Sequence, residues 1–314
     1  MDLSAFGLEG HPFAAEAGYQ DNCLAEAHAS LLSELKAGLK APHGITLLIG
    51  QAGSGKTFLA KAFAQTTEKS SLWAYLPVTG PGLRHLLAEA LQQLATVAKP
   101  PGAKSAGNGR GKNGEPELIK SLRTLARANA ETGRTTLLVL DEAHQLPAKT
   151  IERLAKLFGD DPADPSGLHL LLVGRCELLD RFNAAGDRTV LKHLVQVCRL
   201  DSIGPEESFR YIADRISRAG GVVDSIFTTD ALDLIVKRAG GVPGRIDAIC
   251  SAALERAAGS GADSIGAELV DLACLGSETF ELDDADEPEG NDFVIGSCGE
   301  ETEPKNEQLE LRRR

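Results

Sequence analysis

The sequence lacks several features, and each absence excludes a class of protein. Only 4% of its 314 residues are aromatic, so aliphatic side chains must fill most of any core. No apolar run is long enough to cross a membrane as a helix. The first residues contain no basic region followed by an apolar stretch, so no secretory signal is expected. We therefore expect a cytoplasmic protein without a membrane span.

The cysteines are few and scattered, which bears on metal sites and on disulfides. No C-x-x-C pair occurs, and no histidine pattern accompanies the cysteines. This spacing argues against metal ligation and against a disulfide framework, and it indicates reduced thiols as in the cytosol. The six cysteines are Cys23, Cys176, Cys198, Cys250, Cys274 and Cys298.

The acidic charge of the chain is concentrated at its C-terminal end. The formal net charge is −12. Residues 278–314 contain 13 acidic and 4 basic side chains, whereas the other 277 residues contain 32 and 29. The body is therefore nearly neutral, and its charge neither requires nor excludes a nucleic-acid partner. Because acidic residues, glycine and proline dominate from residue 276 onward, we expect an acidic, disordered tail over 276–314.

A glycine-rich loop with a strand before it and a helix after it is the most informative segment. The apolar run at 45–49 predicts a buried strand, and 58–64 continues as an amphipathic helix. Between them, GQAGSGKT at 50–57 fits the pattern G-x-x-x-x-G-K-[ST] at every fixed position. The alternative, a glycine-rich turn that happens to contain Lys-Thr, is disfavoured by this context. The segment predicts a phosphate-binding loop for ATP with Mg²⁺.

The residue types of this loop explain what each position would contribute. Its glycines allow a backbone that points successive N–H groups at an anion, and the following helix adds its own N-terminal N–H groups. Lys56 would bind the β- and γ-phosphates, and the Thr57 hydroxyl would ligate Mg²⁺. The expected nucleotide-binding residues are Gly50, Gln51, Ala52, Gly53, Ser54, Gly55, Lys56, Thr57 and Phe58.

A second apolar strand, at 135–140, ends in the acidic pair Asp141 and Glu142. Such a pair is the expected partner of a phosphate loop, with Asp141 at the Mg²⁺ and Glu142 orienting the attacking water. The alternative is a surface carboxylate pair that caps the next helix. DEAH at 141–144 also occurs in a class of helicases, but no other helicase motif is visible, so we assign no role to His144.

Further strands and helices complete an α/β domain and a helical domain. Strands are predicted at 71–78, 168–174 and 195–200, and helices at 22–40, 82–97, 117–132 and 147–158. After residue 204 only helices are predicted, near 205, at 228–239, at 245–258 and at 264–274. We therefore predict an α/β domain over 1–202, with a parallel sheet sandwiched by helices, and a small helical lid over 203–275.

Two segments of the α/β domain leave alternatives open. Residues 99–116 are rich in glycine, proline and basic side chains, which predicts a flexible loop. That loop is either a solvated connector or a contact for a phosphate backbone or an acidic protein. In the N-terminal arm, Phe6 and Phe13 either pack onto the domain or contact an adenine base, and packing is the preferred interpretation.

These motifs together resemble the AAA+ ATPases, and within them the bacterial ExeA/GspA-like group that includes MshM-type and TniB-type ATPases. The resemblance covers residues from about Phe6 to Leu275. It implies an ATPase that assembles into rings or filaments. The motifs that carry it are Phe6-Gly7-Leu8 with Pro12-Phe13, GQAGSGKT at 50–57, LLVLDEAH at 137–144, LLLVGRCELL at 170–179 and GGVPGRIDAIC at 240–250.

The resemblance also implies roles for arginines, two of which match family positions, whereas the family's arginine before the last strand has no match because Val197 follows Gln196. Arg245 matches a lid arginine that reaches the γ-phosphate, although Gly244 separates it from Pro243, where many relatives have arginine directly. Arg175 occupies the γ-phosphate sensor position, which is usually a small polar residue or glutamine. An arginine from a neighbouring subunit would complete the site. Arg188 is our choice for it, with Arg181 in reserve.

Three functions follow from the resemblance. The first is an ATP-dependent factor that assembles or remodels a secretion or envelope complex with a protein partner. The second is a transposition helper that polymerises on duplex DNA, which the basic loop mildly favours. The third is a regulatory ATP switch with slow turnover, which the unusual Arg175 mildly favours. Partner and oligomer number cannot be deduced from the residues.

Overall fold

The computed structural model describes Leu3 and residues 6–14, 25–80, 82–97, 114–158, 166–184 and 191–275. All of these residues lie in one compact unit, Met1–Glu281. The predicted tail at 276–314, Arg188 and most of the basic loop at 99–116 fall outside the described residues. Within the described residues, no helix is long and apolar enough to cross a membrane.

Five parallel strands form one sheet. Most strands are short aliphatic runs, and two paired inner strands are buried along their whole length, as expected for a parallel sheet covered on both faces. The strands are β1 (Gly44–Gly50), β2 (Ser71–Pro77), β3 (Thr135–Asp141), β4 (Leu168–Gly174) and β5 (Leu194–Leu200). Their order across the sheet is β2-β3-β4-β1-β5, so β2 and β5 are the edge strands.

Helices cover both faces of this sheet. On one face, α1 (Ala25–Gly38) and α2 (Lys56–Thr66) pack against one set of strand side chains. On the other face lie α3 (Leu83–Val97), α4 (Glu115–Glu131), α5 (Ala148–Leu154) and α6 (Glu177–Ala184). Alternate residues of the strands face the two layers because successive side chains of a strand point in opposite directions. The predicted sandwich of a phosphate-loop NTPase is therefore confirmed.

The carboxyl ends of three neighbouring strands meet at one edge of the sheet. Ile49 of β1 pairs with Gly174 of β4, and β3 lies on the other side of β4. The phosphate loop leaves β1 at this edge, and Asp141 ends β3 there. In open parallel sheets the crevice outside the carboxyl ends of the strands is the usual ligand site. The topology thus brings the two sequence motifs to the same edge.

The residues after β5 form helices with a separate hydrophobic core. These helices are α7 (Pro205–Arg218), α8 (Val223–Ile226), α9 (Thr229–Ala239), α10 (Pro243–Ser260) and α11 (Ala267–Leu275). Helix α10 begins two residues before the predicted start at Arg245, because Pro243 has the fixed φ of a helix and needs no hydrogen bond for an N–H in the first turn. The short α8 was not predicted.

The N-terminal arm packs against this helical core. Phe6 and Phe13 are 7% and 5% exposed, and both belong to the helical cluster. The Glu9 N–H donates to the Ala219 carbonyl at 2.8 Å. A Cβ on Gly221 would lie 2.7 Å from Leu8, so the arm fits closely. The arm therefore packs as preferred, although its partner is the helical part of the chain.

Two predicted boundaries differ in the structure. The predicted basic loop at 99–116 ends earlier, because Gly114 caps α4 and Pro116 lies in its first turn. The predicted helix at 147–158 is shorter and continues as a 3-10 turn at Ala155–Leu157. The proposed domain limits near 202 and 275 stay predictions.

Candidate functional site

The loop between β1 and α2 has the backbone that its glycines allow. Gly53 and Gly55 have φ of 79° and 99°, which are left-handed values that favour glycine. Gly50 lies against β5, and a Cβ there would be 2.4 Å from the Leu200 carbonyl oxygen. Gly55 is the N-cap of α2, so the loop runs directly into the helix N-terminus. Loop N–H groups and the positive end of the helix dipole therefore lie side by side.

Lys56 is the first residue of α2 and folds back over the loop. Its ammonium donates to the Gly50 carbonyl at 2.9 Å and to the Gln51 carbonyl. Lys56 is only 8% exposed, and burial is the main cause that lowers its pKa. The ammonium is thus held at the concave side of the loop, where a phosphate group could compete for its hydrogen bonds.

Thr57 and Asp141 meet although 84 positions separate them. The Thr57 hydroxyl donates to Oδ2 of Asp141 at 2.7 Å. Asp141 is 3% exposed, and no lysine or arginine of the described residues forms an ion pair with it. A buried carboxylate beside a hydroxyl is a donor set of hard oxygens, which is what Mg²⁺ prefers. The residues therefore fit a magnesium site.

Glu142 has an unusual backbone conformation. Its φ and ψ are 57° and 33°, and it is the single non-glycine residue with positive φ in the described part of the chain. Such a conformation costs about 1 kcal/mol or more for an ordinary residue. The turn exposes 48% of the Glu142 side chain, while its N–H donates to Oδ1 of Asp141 at 2.9 Å. One carboxylate therefore stays in the core while the next projects outward.

His144 and the end of β4 adjoin this turn. Nδ1 of His144 lies 3.4 Å from Oε2 of Glu142. A Cβ on Gly174 would be 3.0 Å from the His144 backbone nitrogen, so glycine allows the turn to approach β4. Sequence reasoning assigned no role to His144, and the contact is with the exposed carboxylate.

Ionisable groups from the ends of two strands, β3 and β4, gather around Lys56. The negative charges of Glu142 and Asp141 raise its pKa, as does the thiol of Cys176 when ionised. The guanidinium of Arg175 lowers it. All four groups are therefore within electrostatic reach of the ammonium. Arg175 and Cys176 follow β4 directly, so the predicted sensor position lies at the same edge as the phosphate loop.

The start of α10 contacts the phosphate loop. The Gly244 N–H donates to the Gly53 carbonyl at 2.9 Å, and a Cβ on Gly244 would lie 3.0 Å from Gly53 Cα. Arg245 is the next residue and is half-buried. The helical part thus touches the loop through two glycines, and Arg245 is adjacent to that contact.

Of the two candidates for an arginine from a neighbouring subunit, Arg181 lies within the described residues. Arg181 of α6 donates from Nη1 to the Leu146 carbonyl at 2.9 Å, which ties α6 to the segment after β3. This bond gives Arg181 a role inside its own subunit. Arg188 lies outside the described residues.

Two residues of the site are not predicted by the sequence motifs. The hydroxyl of Tyr75 on β2 donates to Oδ2 of Asp141 at 2.5 Å. The second residue is Gly244, whose contact with Gly53 depends on the packing of α10 against the loop. A signal for Tyr75 existed in principle, because it is a polar-tipped residue near the end of a strand. Only the sheet order, however, brings that strand beside β3.

Comparisons with known proteins identify a matching family and a relative. Residues 40–182 match the AAA domain family. The chain is 28% identical to General secretion pathway protein A of Aeromonas hydrophila over 267 residues. The aligned region covers 84% of this chain and 46% of that protein. The chain therefore spans about half the length of that relative. The resemblance to an ExeA/GspA-like AAA ATPase is confirmed.

Solved structures with the same fold are more distant in sequence. Cdc6p of Pyrobaculum aerophilum aligns with a TM-score of 0.63 and 17% identity, over 88% of this chain and 71% of that one. The ORC2 protein of Aeropyrum pernix, solved with ADPNP and ADP, aligns with a TM-score of 0.59 and 19% identity, over 86% and 72%. At these identities the likeness supports the fold alone.

Proposed function

We propose that this chain binds ATP with Mg²⁺ and hydrolyses it. The match of residues 40–182 to the AAA domain family supports this proposal. The observation that carries the proposal is the 2.7 Å hydrogen bond from Thr57 to Asp141. It joins the end of the phosphate loop to the end of the acidic strand, beside Lys56 and Glu142. A glycine-rich turn or a helix-capping carboxylate pair would not require the two motifs to meet.

Different residues of the loop and of the acidic strand would bind the phosphates and the Mg²⁺. Backbone N–H groups of the loop and of the α2 N-terminus would bind phosphate oxygens, and Lys56 would add a point charge. Thr57 and Asp141 would hold Mg²⁺, which would neutralise charge on the phosphate oxygens. The loop residues in this role are Gly50, Gln51, Ala52, Gly53, Ser54 and Gly55, with Phe58 in the first turn of α2.

Glu142 is proposed to orient and polarise the attacking water. Its outward turn, with 48% of the side chain exposed, leaves the carboxylate accessible next to the metal ligand Asp141. The hydrogen bond from the Glu142 N–H to Asp141 keeps the two carboxylates on opposite sides of the backbone turn. One can thus contact a cation while the other contacts a water.

Arg245 is proposed to reach the γ-phosphate and to link nucleotide state to the position of the helices. The contact of Gly244 with Gly53 supports this, because a change at the loop would be transmitted to α10. Arg175 is proposed as the sensor at the end of β4. For the arginine from a neighbouring subunit, Arg188 stays the proposal, since Arg181 bonds within its own subunit. Such an arginine is worth roughly 10³- to 10⁵-fold in rate.

For the cellular role, we propose a cytoplasmic ring- or filament-forming ATPase that assembles or remodels a partner complex. The name of the relative, General secretion pathway protein A, supports a partner in a secretion or envelope complex. A second candidate is a DNA-binding helper of transposition, which the basic composition of residues 99–116 favours. A slow regulatory switch is the third, favoured by the charge of Arg175.

The test of the site is a pair of variants with opposite expected phenotypes. Lys56→Ala should abolish binding of a fluorescent ATP analogue, because the loop loses its cation. Glu142→Gln should keep that binding and lower turnover by roughly 10²- to 10⁴-fold, because only the water-orienting carboxylate is lost. Tight ATP binding by the Lys56 variant, or wild-type turnover by the Glu142 variant, would contradict the assignment.

The test of the role is ATP turnover of the purified protein across protein concentration, with and without duplex DNA. Specific activity that rises with concentration would support a site shared between subunits. Stimulation by DNA that weakens with salt would support the transposition-type role. Bound ATP with near-zero turnover in both conditions would support the switch.

A further inference from the structure

The carboxylate of Asp141 is held on both of its oxygens. Oδ2 accepts from the hydroxyl of Tyr75 at 2.5 Å and from that of Thr57 at 2.7 Å. Oδ1 accepts from the N–H of Glu142 at 2.9 Å. Two of these donors belong to the loop motif and to the acidic pair. Tyr75 comes from a third element, the edge strand β2.

Tyr75 is itself fixed through its backbone. The side-chain amide of Gln93, from α3, accepts from the Tyr75 N–H and donates to the Tyr75 carbonyl, both at 2.9 Å. Because β2 is at the edge of the sheet, no strand of the described residues pairs with these two groups on its outer side. Gln93 takes the place of that strand at this one residue.

The ring of Tyr75 is fixed as well. Nζ of Lys61 lies 4.7 Å from the ring centroid, and Lys61 lies on α2, one turn after Thr57. The ring also packs on the hydrophobic layer of that face of the sheet. Backbone, ring and hydroxyl of Tyr75 are therefore held by three elements, and the hydroxyl is directed at one oxygen of Asp141.

We propose that Tyr75 is a positioning residue for Asp141 in the magnesium site, an inference that rests on the proposed function. Partners that hydrogen-bond to a metal-ligating carboxylate fix its orientation, and their loss typically costs about 10- to 100-fold in metal affinity. Without the Tyr75 hydroxyl, Oδ2 keeps only Thr57, whose own oxygen is needed for the cation. The carboxylate could then rotate away from the orientation that Mg²⁺ requires.

The experiment compares Tyr75→Phe with the wild-type protein in a binding assay without turnover. Affinity for a fluorescent ADP analogue is measured over a range of Mg²⁺ concentrations and in EDTA. The Mg²⁺ concentration that gives half of the full change in affinity for the ADP analogue should rise by about 10- to 100-fold. Affinity in EDTA should be unchanged, since phenylalanine keeps the ring and only the hydroxyl is lost.

The chain offers a matched control for this change. Tyr211→Phe also deletes a tyrosine hydroxyl that donates to an aspartate, Asp247, at 2.9 Å. This second pair lies between α7 and α10. Nucleotide affinity of the Tyr211→Phe variant should therefore depend on Mg²⁺ as it does in the wild type. A second test variant, Gln93→Leu, releases the Tyr75 backbone and should raise the Mg²⁺ requirement in the same direction.

The outcomes separate the inference from the proposed function. If Asp141→Asn loses the Mg²⁺ dependence and Tyr75→Phe keeps the wild-type dependence, the inference is overturned and the metal assignment stands. If Asp141→Asn itself keeps the wild-type dependence, the proposed metal site is wrong. An equal shift in Tyr75→Phe and Tyr211→Phe would also overturn the inference, because it would reflect general loosening.

Discussion

In two regions of the molecule, a tyrosine hydroxyl donates to an aspartate carboxylate, and the two carboxylates differ in their other partners. At the sheet edge, Asp141 accepts from the hydroxyl of Tyr75 and forms no ion pair with a described lysine or arginine. Between α7 and α10, both oxygens of Asp247 lie 2.9 Å from the hydroxyl of Tyr211. There Nη2 of Arg215 also lies 3.0 Å from the carboxylate.

The presence of an ion pair at Asp247 and its absence at Asp141, among the described residues, suggest different roles for the two carboxylates. Asp247 has its counter-charge inside the fold, so it can hold α7 and α10 together without any ligand. Burial nevertheless raises the pKa of Asp247, and Arg215 opposes that rise. Asp141 accepts hydrogen bonds from neutral donors, which fix its direction, and the nearby Lys56 ammonium interacts with it without forming an ion pair. A buried charge of this kind favours a cation as its partner.

The largest expected effect on the free energy of unfolding comes from replacing the aspartate of one pair. The same substitution in the other pair is the comparison. Asp247→Asn should lower the free energy of unfolding by about 3 kcal/mol, because it removes the carboxylate charge that pairs with the buried Arg215. Asp141→Asn should change stability by less than about 1 kcal/mol, since no described lysine or arginine forms an ion pair with it. Urea unfolding measures both. Equal losses would mean that Asp141 is also a structural ion.

A buried histidine provides a further test, which concerns the pH dependence of stability. His169 on β4 is 2% exposed, and its Nε2 has no hydrogen-bond partner among the described residues. Burial, with a smaller contribution from His43, lowers the pKa of His169 from 6.5 to about 4. The folded state therefore disfavours the protonated ring, whereas the unfolded chain accepts a proton near pH 6.5.

The consequence is a stability that depends on pH with a defined sign. The contribution of His169 is fully present above pH 6.5 and is lost as the pH falls toward 4. The loss should reach roughly 3 kcal/mol over this range, at about 1.4 kcal/mol per pKa unit. Unfolding of His169→Leu should be less sensitive to pH by that amount. An unchanged pH slope in the variant would contradict the prediction.

The sequence was sufficient for the parts of the site that depend on local pattern. The loop at 50–57 and the acidic pair at 141–142 each stand at the end of a recognisable strand, so their meeting follows from parallel strands. Tyr75 could not be predicted, because its role depends on β2 pairing with β3 and on a helix residue, Gln93, replacing a strand neighbour. Such contacts depend on tertiary register.

The same limit applies to the helical part. Its helices were predictable from periodicity, proline and glycine, and the α10 start was missed by only two residues. The packing of Phe6 and Phe13 on the helical core was not predictable from their positions before the sheet. For the arginines, the sequence offered several candidates at the surface, and only the bond from Arg181 to Leu146 separates one of them from the rest.

The smallest expected effect tests whether the two regions act on one another. A Cβ on Gly244 would lie 3.0 Å from Gly53 Cα and 3.1 Å from its carbonyl oxygen, and both are backbone atoms that cannot rotate away. Gly244→Ala should therefore lower the free energy of unfolding by about 1 to 2 kcal/mol. It should also weaken ATP binding, because α10 and Arg245 would move away from the loop.

The matched control is Gly259→Ala on the same helix. A Cβ there would meet nothing within 4 Å. Alanine at this position should raise stability by about 0.5 kcal/mol, because it restricts the unfolded chain and favours the helix. Its ATP affinity should equal that of the wild type. If Gly244→Ala also kept wild-type ATP affinity, the contact of α10 with the loop would be packing alone, and Arg245 would lose its proposed link to the nucleotide.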